Sequence, residues 1–591
     1  MPANVFHSVA PERNAFDVRL GTSVIFAAKA YNRRVPTFRL AAVALFATVI
    51  QGAPAIFPLK DVRAGQHGIG KTVFSGSKVE EFQVEILGVL ENIGPKESII
   101  LARLKGGPLE KTGVMQGMSG SPVYIDGKLV GAVALGFPMA TEAIAGIRPI
   151  EEMLRVDPVT KAGRSVQAGN ARLEEIATPV SFSGFTGSTI EHFESKLKDL
   201  GLDPRQGVAG GGNFPEKLGD PSHIQPGSMI SVQLMAGDLS VGADGTVTCI
   251  DGDRLYAFGH RFLAAGATEL PFARSEVLAL LPNLQASFKI SAAREWMGTI
   301  TEDRNAAISG VMGRKAPMVP IEVRVGANTY HMRMIQDRVM TPLLAQMAVF
   351  SSIDSTQRSV GPSTYALRGR IDFDGAGSVK LDNVYGGDLG VSAIASMGVA
   401  SPLAYSLTSG FDALKLKNVV VEVTPVDRRN QLQIADVAAP REVRPGDDVE
   451  LIVGFTGENG AESSTTVHYR VPVGAPPGTL YVTASDAAYT NMLEMQAAVG
   501  SPVHSAAQVV DFLNHLKTST NAYVRVWRMD TAYTVEGRDL PAPPPSLAMI
   551  LGRAQAGSLL NWRGSKVTEI EIPTHESVVT GSKTVQIEVK E

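Results

Sequence analysis

From about residue 62 onward, apolar and polar positions alternate along the chain. EFQVEIL (81–87) sets Phe82, Val84 and Ile86 against polar neighbours, the period of a half-buried strand. SIILARL (98–104) reads as another strand. VYI-DG-KLVGAV (123–133) predicts a hairpin, because Asp126-Gly127 supplies the positive φ values of a two-residue turn. GTVTCI-DG-DRLYAFGH (245–260) repeats the scheme, and the shared IDGKL and IDGDRL suit two related half-domains. PMVPIEVRV (317–325) is a further strand. Helical patterns are fewer: RPIEEML (148–154) with Pro149 near its first turn, parts of GNARLEEIA and STIEHFESKLKDLGL, and LPFARSEVLALLP (270–282).

Beyond about residue 330 the texture changes. VVVEVTPV (419–426), DVELIVGF (448–455) and TTVHYRVPV (465–473) alternate between turn signals, which predicts a β-sandwich. SAAQVVDFLNHLK (505–517) opens with a capping box, Ser505 and Gln508, and carries Val509, Leu513 and Leu516 on one helical face. PAPPP (541–545) reads as a stiff linker. The expected fold class is mainly β, with a few helices. The expected divisions are an N-terminal extension (1–55), a first half-domain (56–155), a glycine- and proline-rich connector (156–226) and a second half-domain (227–330). A β-rich region (331–415), a sandwich-like domain (416–500) and an α/β tail (501–591) follow.

Bulk numbers sharpen this only in places. At 591 residues the chain exceeds one core, and three or four domains are expected. With 59 Gly and 35 Pro, short strands and turns are favoured over long helices. A net charge of −4 gives no reason to expect a nucleic-acid partner. The single cysteine, Cys249, excludes an intrachain disulfide and reads as a small core residue of a strand. Near the start, a basic run (33–39) precedes eleven apolar residues (40–50) and QGAPA, with Ala53 and Ala55 in A-x-A spacing. That is the layout of a secretory signal cut after Ala55, or of an uncleaved anchor at 40–50; a short buried helix is the plainer alternative. The expected location is periplasmic or extracellular, at or beside the cell envelope.

The candidate chemistry centres on GMSGSP (117–122). Ser119 sits among small residues just before a strand. The segment is a plain tight turn, or it holds a nucleophile. A serine hydroxyl needs a base to take its proton and donors to receive the oxyanion. Gly117 lets the amides of Gly117 and Ser119 point to one spot, and Gly120 leaves room for a substrate backbone. Metal and phosphate chemistry find little support: no HExxH, no Cys pair, an incomplete calcium-loop pattern at DFDGAGS (372–378), and a GVAGGG run (207–212) with no strand before it. No cofactor or metal is expected.

GMSGSP followed by a DG hairpin resembles the nucleophile segment of the stage IV sporulation protein B family of serine peptidases. The resemblance extends through VEEFQVEILGVL and LEKTGVMQ upstream and IAGIRPIEEML downstream. It implies a chymotrypsin-like core of two β-barrels with a cleft between them, acting on a protein or peptide substrate. Residues 62–154 would be the serine half. Residues 228–330 would be the histidine half, where DRLYAFGH ends in His260 and GTITEDRNAAISGVMG follows. The order is permuted, since the family's histidine half normally comes first; triad chemistry tolerates this because it is defined by geometry. The resemblance implies His260 as general base, although a lone histidine also reads as a structural cap. His67, in GQHGIG, is the weaker competitor. The acid is missing from its expected place, which falls near Leu104. Glu110 is the closest acid but does not align with that place; Asp251 and Asp253 on the histidine half read as turn residues, Glu269 and Glu276 are further candidates, and the third member stays unassigned. A Ser–His dyad, a carboxylate recruited from elsewhere and a silent site all remain open. No PDZ-like segment is evident, and residues beyond about 330 give no hint of substrate.

Overall fold

The computed structural model describes residues 54–155, 165–168, 171–207, 217–356, 363–426, 431–457, 460–499, 503–535, 538–541, 543–553, 559–574 and 577–591. The expectations for the signal-like stretch before Pro54 and for most of 207–212 lie outside these.

The first six strands are β1 (His67–Ser75), β2 (Lys78–Gly94), β3 (Glu97–Lys105), β4 (Pro122–Ile125), β5 (Lys128–Gly136) and β6 (Ile144–Pro149). They hydrogen-bond in the order β1-β2-β3-β6-β5-β4, and β4 returns to β1 through Ile69–Tyr124 and Gly70–Val123. The sheet therefore closes into a barrel, which removes its edges. Phe82, Val84 and Ile86 point inward as the alternation predicts, joined by Ile100, Leu104, Val123 and Ile147. Each such burial is worth about 1.5–3 kcal/mol. Asp126 and Gly127 take φ values of 50° and 73°, the turn their dipeptide predicts. Helix α1 (Leu109–Thr112) lies between β3 and β4, and α2 (Ile150–Met153) follows β6 with Pro149 at its N-cap.

Residues 156–226 are more than a connector. Strands β7 (Ser165–Ala168) and β8 (Ala171–Glu175) extend the first sheet beyond β5. Strand β9 (Thr178–Ser183), helix α3 (Gly187–Asp199) and strand β10 (Leu202–Gln206) begin the next sheet. ARLEE is thus a strand rather than a helix. Its pairing partners on both sides override the helical preference of its Ala, Leu and Glu residues.

Six further strands follow: β11 (Met229–Gly237), β12 (Ser240–Asp251), β13 (Arg254–Ala257), β14 (Gly266–Leu281), β15 (Phe288–Asp303) and β16 (Ile308–Met312). Their hydrogen-bonding order is β11-β12-β13-β16-β15-β14, closing through β14–β11. This is a second closed barrel with the same ring order as the first. The helix expected at 270–282 is instead most of β14, paired along its length with β15. The second hairpin also turns one residue later than its sequence suggests. Asp251 ends β12 opposite Arg254, and Gly252-Asp253 make the turn.

The second barrel's sheet does not stop near 330. It runs on through β17 (Val319–Val325), β18 (Asn328–Met334), β19 (Ser363–Phe373), β20 (Gly377–Gly387) and β21 (Leu416–Val426). VVVEVTPV therefore belongs to this sheet, paired to β17 and β19, and not to the sandwich. The segment 331–415 also holds two long helices, α4 (Met340–Asp354) and α5 (Val391–Thr408). Nearly every side chain of α4 is buried, so it shows no amphipathic period for a sequence reading to find. Helix α5 is long and apolar enough to cross a membrane, yet here it packs on α4.

The sandwich occupies 431–589. Its four-stranded sheet uses residues 431–470 plus Val578–Thr580. Its six-stranded sheet draws strands from 442–443 and from 478–589. One core, including Ile434, Leu451, Leu480, Val524 and Ile587, fills the space between them. The tail expected at 501–591 thus supplies sandwich strands. Half of its capping box forms: Ser505 Oγ accepts from the Gln508 amide at the start of the helix Ala506–Asn514, while the Gln508 side chain accepts from the His504 N–H instead of that of Ser505.

Candidate active site

The two barrels share a topology, so their connections can be matched. Ser119 lies between the third and fourth strands of the first barrel, and His260 between the third and fourth strands of the second. The two matching connections meet. A methyl group placed on Gly120 would sit 2.0 Å from the Thr246 carbonyl oxygen and 2.5 Å from the Phe258 nitrogen. One placed on Gly259 would sit 3.2–3.3 Å from Ala132 and Ala134 of β5. Both glycines have positive φ, 94° and 71°. Glycine suits both positions because each takes a positive φ, and at Gly120 the close approach of backbone atoms also leaves no room for a side chain.

Strand β12 grips the serine turn from the side. The Thr246 amide donates to the Ser119 carbonyl (2.9 Å), Thr246 Oγ1 to the Gly117 carbonyl (2.8 Å), and Thr248 Oγ1 to the Gly120 carbonyl (2.7 Å). Within the turn, the Met118 and Ser121 amides donate to Met115 and Met118, and the Gly120 amide to Val133 of β5. Among the described residues the amides of Gly117 and Ser119 have no such acceptor. These are the two donors that the sequence assigns to an oxyanion. Ser119 Oγ is fully buried and likewise has no hydrogen-bond partner among the described residues. A buried hydroxyl left unsatisfied costs about 1–3 kcal/mol, so its retention asks for a role.

His260 is fully buried as well. Its Nδ1 lies 2.7 Å from the Arg261 carbonyl oxygen. A carbonyl only accepts, so Nδ1 carries the proton and Nε2 of the neutral ring is the basic nitrogen. Phe258 packs at 6.0 Å from the imidazole and at 6.0 Å from Phe262, holding the segment in the barrel core. The Arg261 guanidinium is paired with Glu175 of β8 at 3.5 Å, both nearly buried.

The other sequence candidates lie elsewhere. Leu104 points into the first barrel's core. Glu110 is exposed on α1; Asp251 and Asp253 are exposed at the β12–β13 turn. Glu269 is exposed and paired with Arg314, and Glu276 is paired with Arg294. His67 is exposed at the start of β1. Among the described residues, none of these is hydrogen-bonded to the Ser119 turn or to the His260 segment.

Three buried charges near the site escape a sequence reading. Asp303, at the end of β15, is fully buried and accepts from the amides of Phe262 (2.8 Å), Leu263 (2.6 Å) and Ala265 (3.1 Å). Lys289, near the start of β15, runs its methylenes along Gly117, and its Nζ donates to Thr72 Oγ1 at 2.8 Å. Asp244 precedes Thr246 on the same face of β12 and accepts from Ser291 (2.8 Å) and Ser181 (3.4 Å). Burial pulls the Lys289 ammonium down to about 7, against the attraction of Asp244. Burial likewise pushes the Asp244 carboxyl up to about 6, opposed by its serine donors and by Lys289. Burial pushes the Cys249 thiol up to about 12, consistent with a packing role.

The site is closed to solvent. A cavity of about 260 Å³ does lie between the barrels, lined by Glu97 and Glu152 of one and Arg254, Tyr256 and Glu302 of the other, but Ser119 and His260 do not line it.

Two closed six-stranded barrels of one topology, presenting a serine turn and a histidine from matching connections, define a chymotrypsin-like core. Residues 45–154, which include the whole first barrel and Ser119, match the family model described as SpoIVB peptidase S55. The resemblance carried by GMSGSP therefore holds for the serine-bearing barrel and supports a serine peptidase function in general. No curated protein and no solved structure matches the chain.

Proposed function

We propose that the protein is an exported serine endopeptidase that cleaves peptide bonds through an acyl-enzyme on Ser119. Ser119 Oγ attacks the scissile carbonyl while His260 Nε2 takes its proton. The Gly117 and Ser119 amides receive the oxyanion. His260 then returns the proton to the leaving amine, and water repeats the sequence to release the acid. The observation that carries this reading is the meeting of two matching connections, with two uncommitted amides on the serine side. Export rests on the basic run, apolar run and A-x-A spacing at 33–55.

A second reading, a silent peptidase-like envelope protein that binds rather than cleaves, is favoured by the complete burial of Ser119 and His260. A fluorophosphonate probe separates the two. Labelling of the wild type that vanishes in Ser119→Ala supports the peptidase. A folded, unlabelled wild type supports the silent module.

A further inference from the structure

The peptide group that joins Arg261 to Phe262 faces two partners. Its carbonyl oxygen lies 2.7 Å from His260 Nδ1. Its N–H donates to Asp303 Oδ1 at 2.8 Å. In a trans peptide the C=O and N–H point in opposite directions, so imidazole, peptide and carboxylate form one continuous chain of hydrogen bonds. We propose that Asp303 is the acid of this site, a positioning residue that orients His260 and supports its charge through the Arg261–Phe262 peptide. The inference rests on the Ser119–His260 reading above.

The physics is cooperative polarisation. A carboxylate accepting from the N–H draws electron density toward the carbonyl oxygen, making it a stronger acceptor for Nδ1–H. That holds the proton on Nδ1 and makes Nε2 the basic nitrogen that takes the serine proton. When the ring becomes an imidazolium, part of its charge is answered at Asp303. The carboxylate is anchored by two further amides, Leu263 and Ala265, so the loop that follows His260 is fixed at three points. Among the described residues, the charged groups set against this loop include Asp303 from β15, Arg261 from the loop itself and Glu175 from β8. This accounts for the acid missing near Leu104: the orienting carboxylate comes from the histidine barrel and acts one peptide away.

The test is the rate of fluorophosphonate labelling of Ser119 from pH 5 to pH 9 in full-length wild type and in Asp303→Asn, which keeps the shape and removes the charge. The expected result is labelling slowed about tenfold or more, with the acid limb of the profile moved to lower pH because the imidazolium has lost support. A loss caused only by loosened packing would scale the rate without moving the limb. Selective ¹⁵N-histidine spectra of the wild type, assigned with His260→Gln, should show the neutral ring protonated on Nδ1. Wild-type rate and profile in a folded D303N overturn the proposal, as does a neutral His260 protonated on Nε2. Should D303N fail to fold, the wild-type tautomer decides. A wild type that the probe never labels refutes the peptidase reading instead, which the spectra distinguish.

Discussion

The two barrels have the same ring of six strands and place a key residue in the same connection, yet they use that position in opposite ways. In the first barrel the connection is a bare turn of small residues. Its carbonyls are gripped from outside by Thr246 and Thr248, and among the described residues two of its amides have no backbone acceptor. In the second barrel the connection is filled from inside. Phe258 and Phe262 pack in the core, and Asp303 takes up the amides of Phe262, Leu263 and Ala265. The difference teaches that one topology yields a donor-rich pocket or a rigid holder according to where the chain spends its backbone hydrogen bonds. An oxyanion site needs amides kept in reserve, whereas a base needs its loop saturated.

The comparison breaks first at His260. If the second connection exists to hold a base, His260→Ala should reduce fluorophosphonate labelling of Ser119 by about 10³-fold or more in a protein that still unfolds cooperatively, although loss of the buried ring lowers its melting temperature. Equal labelling would make the second barrel a scaffold only.

Next comes the contact between the connections. Gly120→Ala sets a methyl group against two backbone atoms at positive φ, and should cost about 3 kcal/mol or more in denaturant unfolding. Gly259→Ala meets only alanine methyls and a carbonyl at ordinary tight contact, so its cost should be smaller, about 1–2 kcal/mol.

Lys289 sharpens the comparison through pH. Its folded ammonium is held down to about 7, while in the unfolded chain it titrates near about 10.4. Between those values the unfolded state binds the extra proton, so stability should rise with pH, by at most about 1.4 kcal/mol per pH unit. In Lys289→Met that rise disappears. Melting curves recorded from pH 7 to pH 10 check the slope, and an unchanged slope in the variant would remove Lys289 as its source.

The smallest effect is expected at Thr246. Thr246→Val keeps the β-branched shape and loses the hydroxyl's bond to the Gly117 carbonyl, at a cost of about 1 kcal/mol. Labelling should fall more than this stability loss alone explains, because Gly117 carries a proposed oxyanion donor.

How far the sequence revealed these features depended on whether each was local. The DG turn at Asp126-Gly127 and the alternation of Phe82, Val84 and Ile86 are short-range, and both are present as read. The serine turn was legible through small-residue chemistry and a family likeness that holds over residues 45–154, whereas the FGH segment lies outside that match. Strand β14 was not, because LPFARSEVLALLP is rich in helix formers and only its long pairing with β15 makes it extended. Helix α4 was hidden because burial on all sides erases periodicity. Asp303 sits in TEDRN, which reads as a charged surface turn. Its role arises from amides some forty positions earlier, and a pattern of residue types does not encode where backbone N–H groups will point. Lys289 and Asp244 were missed for a related reason: charged residues in alternating strands are assigned to water by default.

The pairing of Gln116 with Ser287 and Lys289 has a consequence for how the protein is made. A ribosome delivers Ser119 well before the strand that flanks its turn, and at about 5–20 residues per second the interval is roughly ten to thirty seconds. For most of that time the nascent first barrel carries its hydroxyl without the imidazole and without the threonines that clamp the turn. The groups that surround Ser119 are thus far apart along the chain, so the chain order itself delays completion of its surroundings until the second barrel has closed.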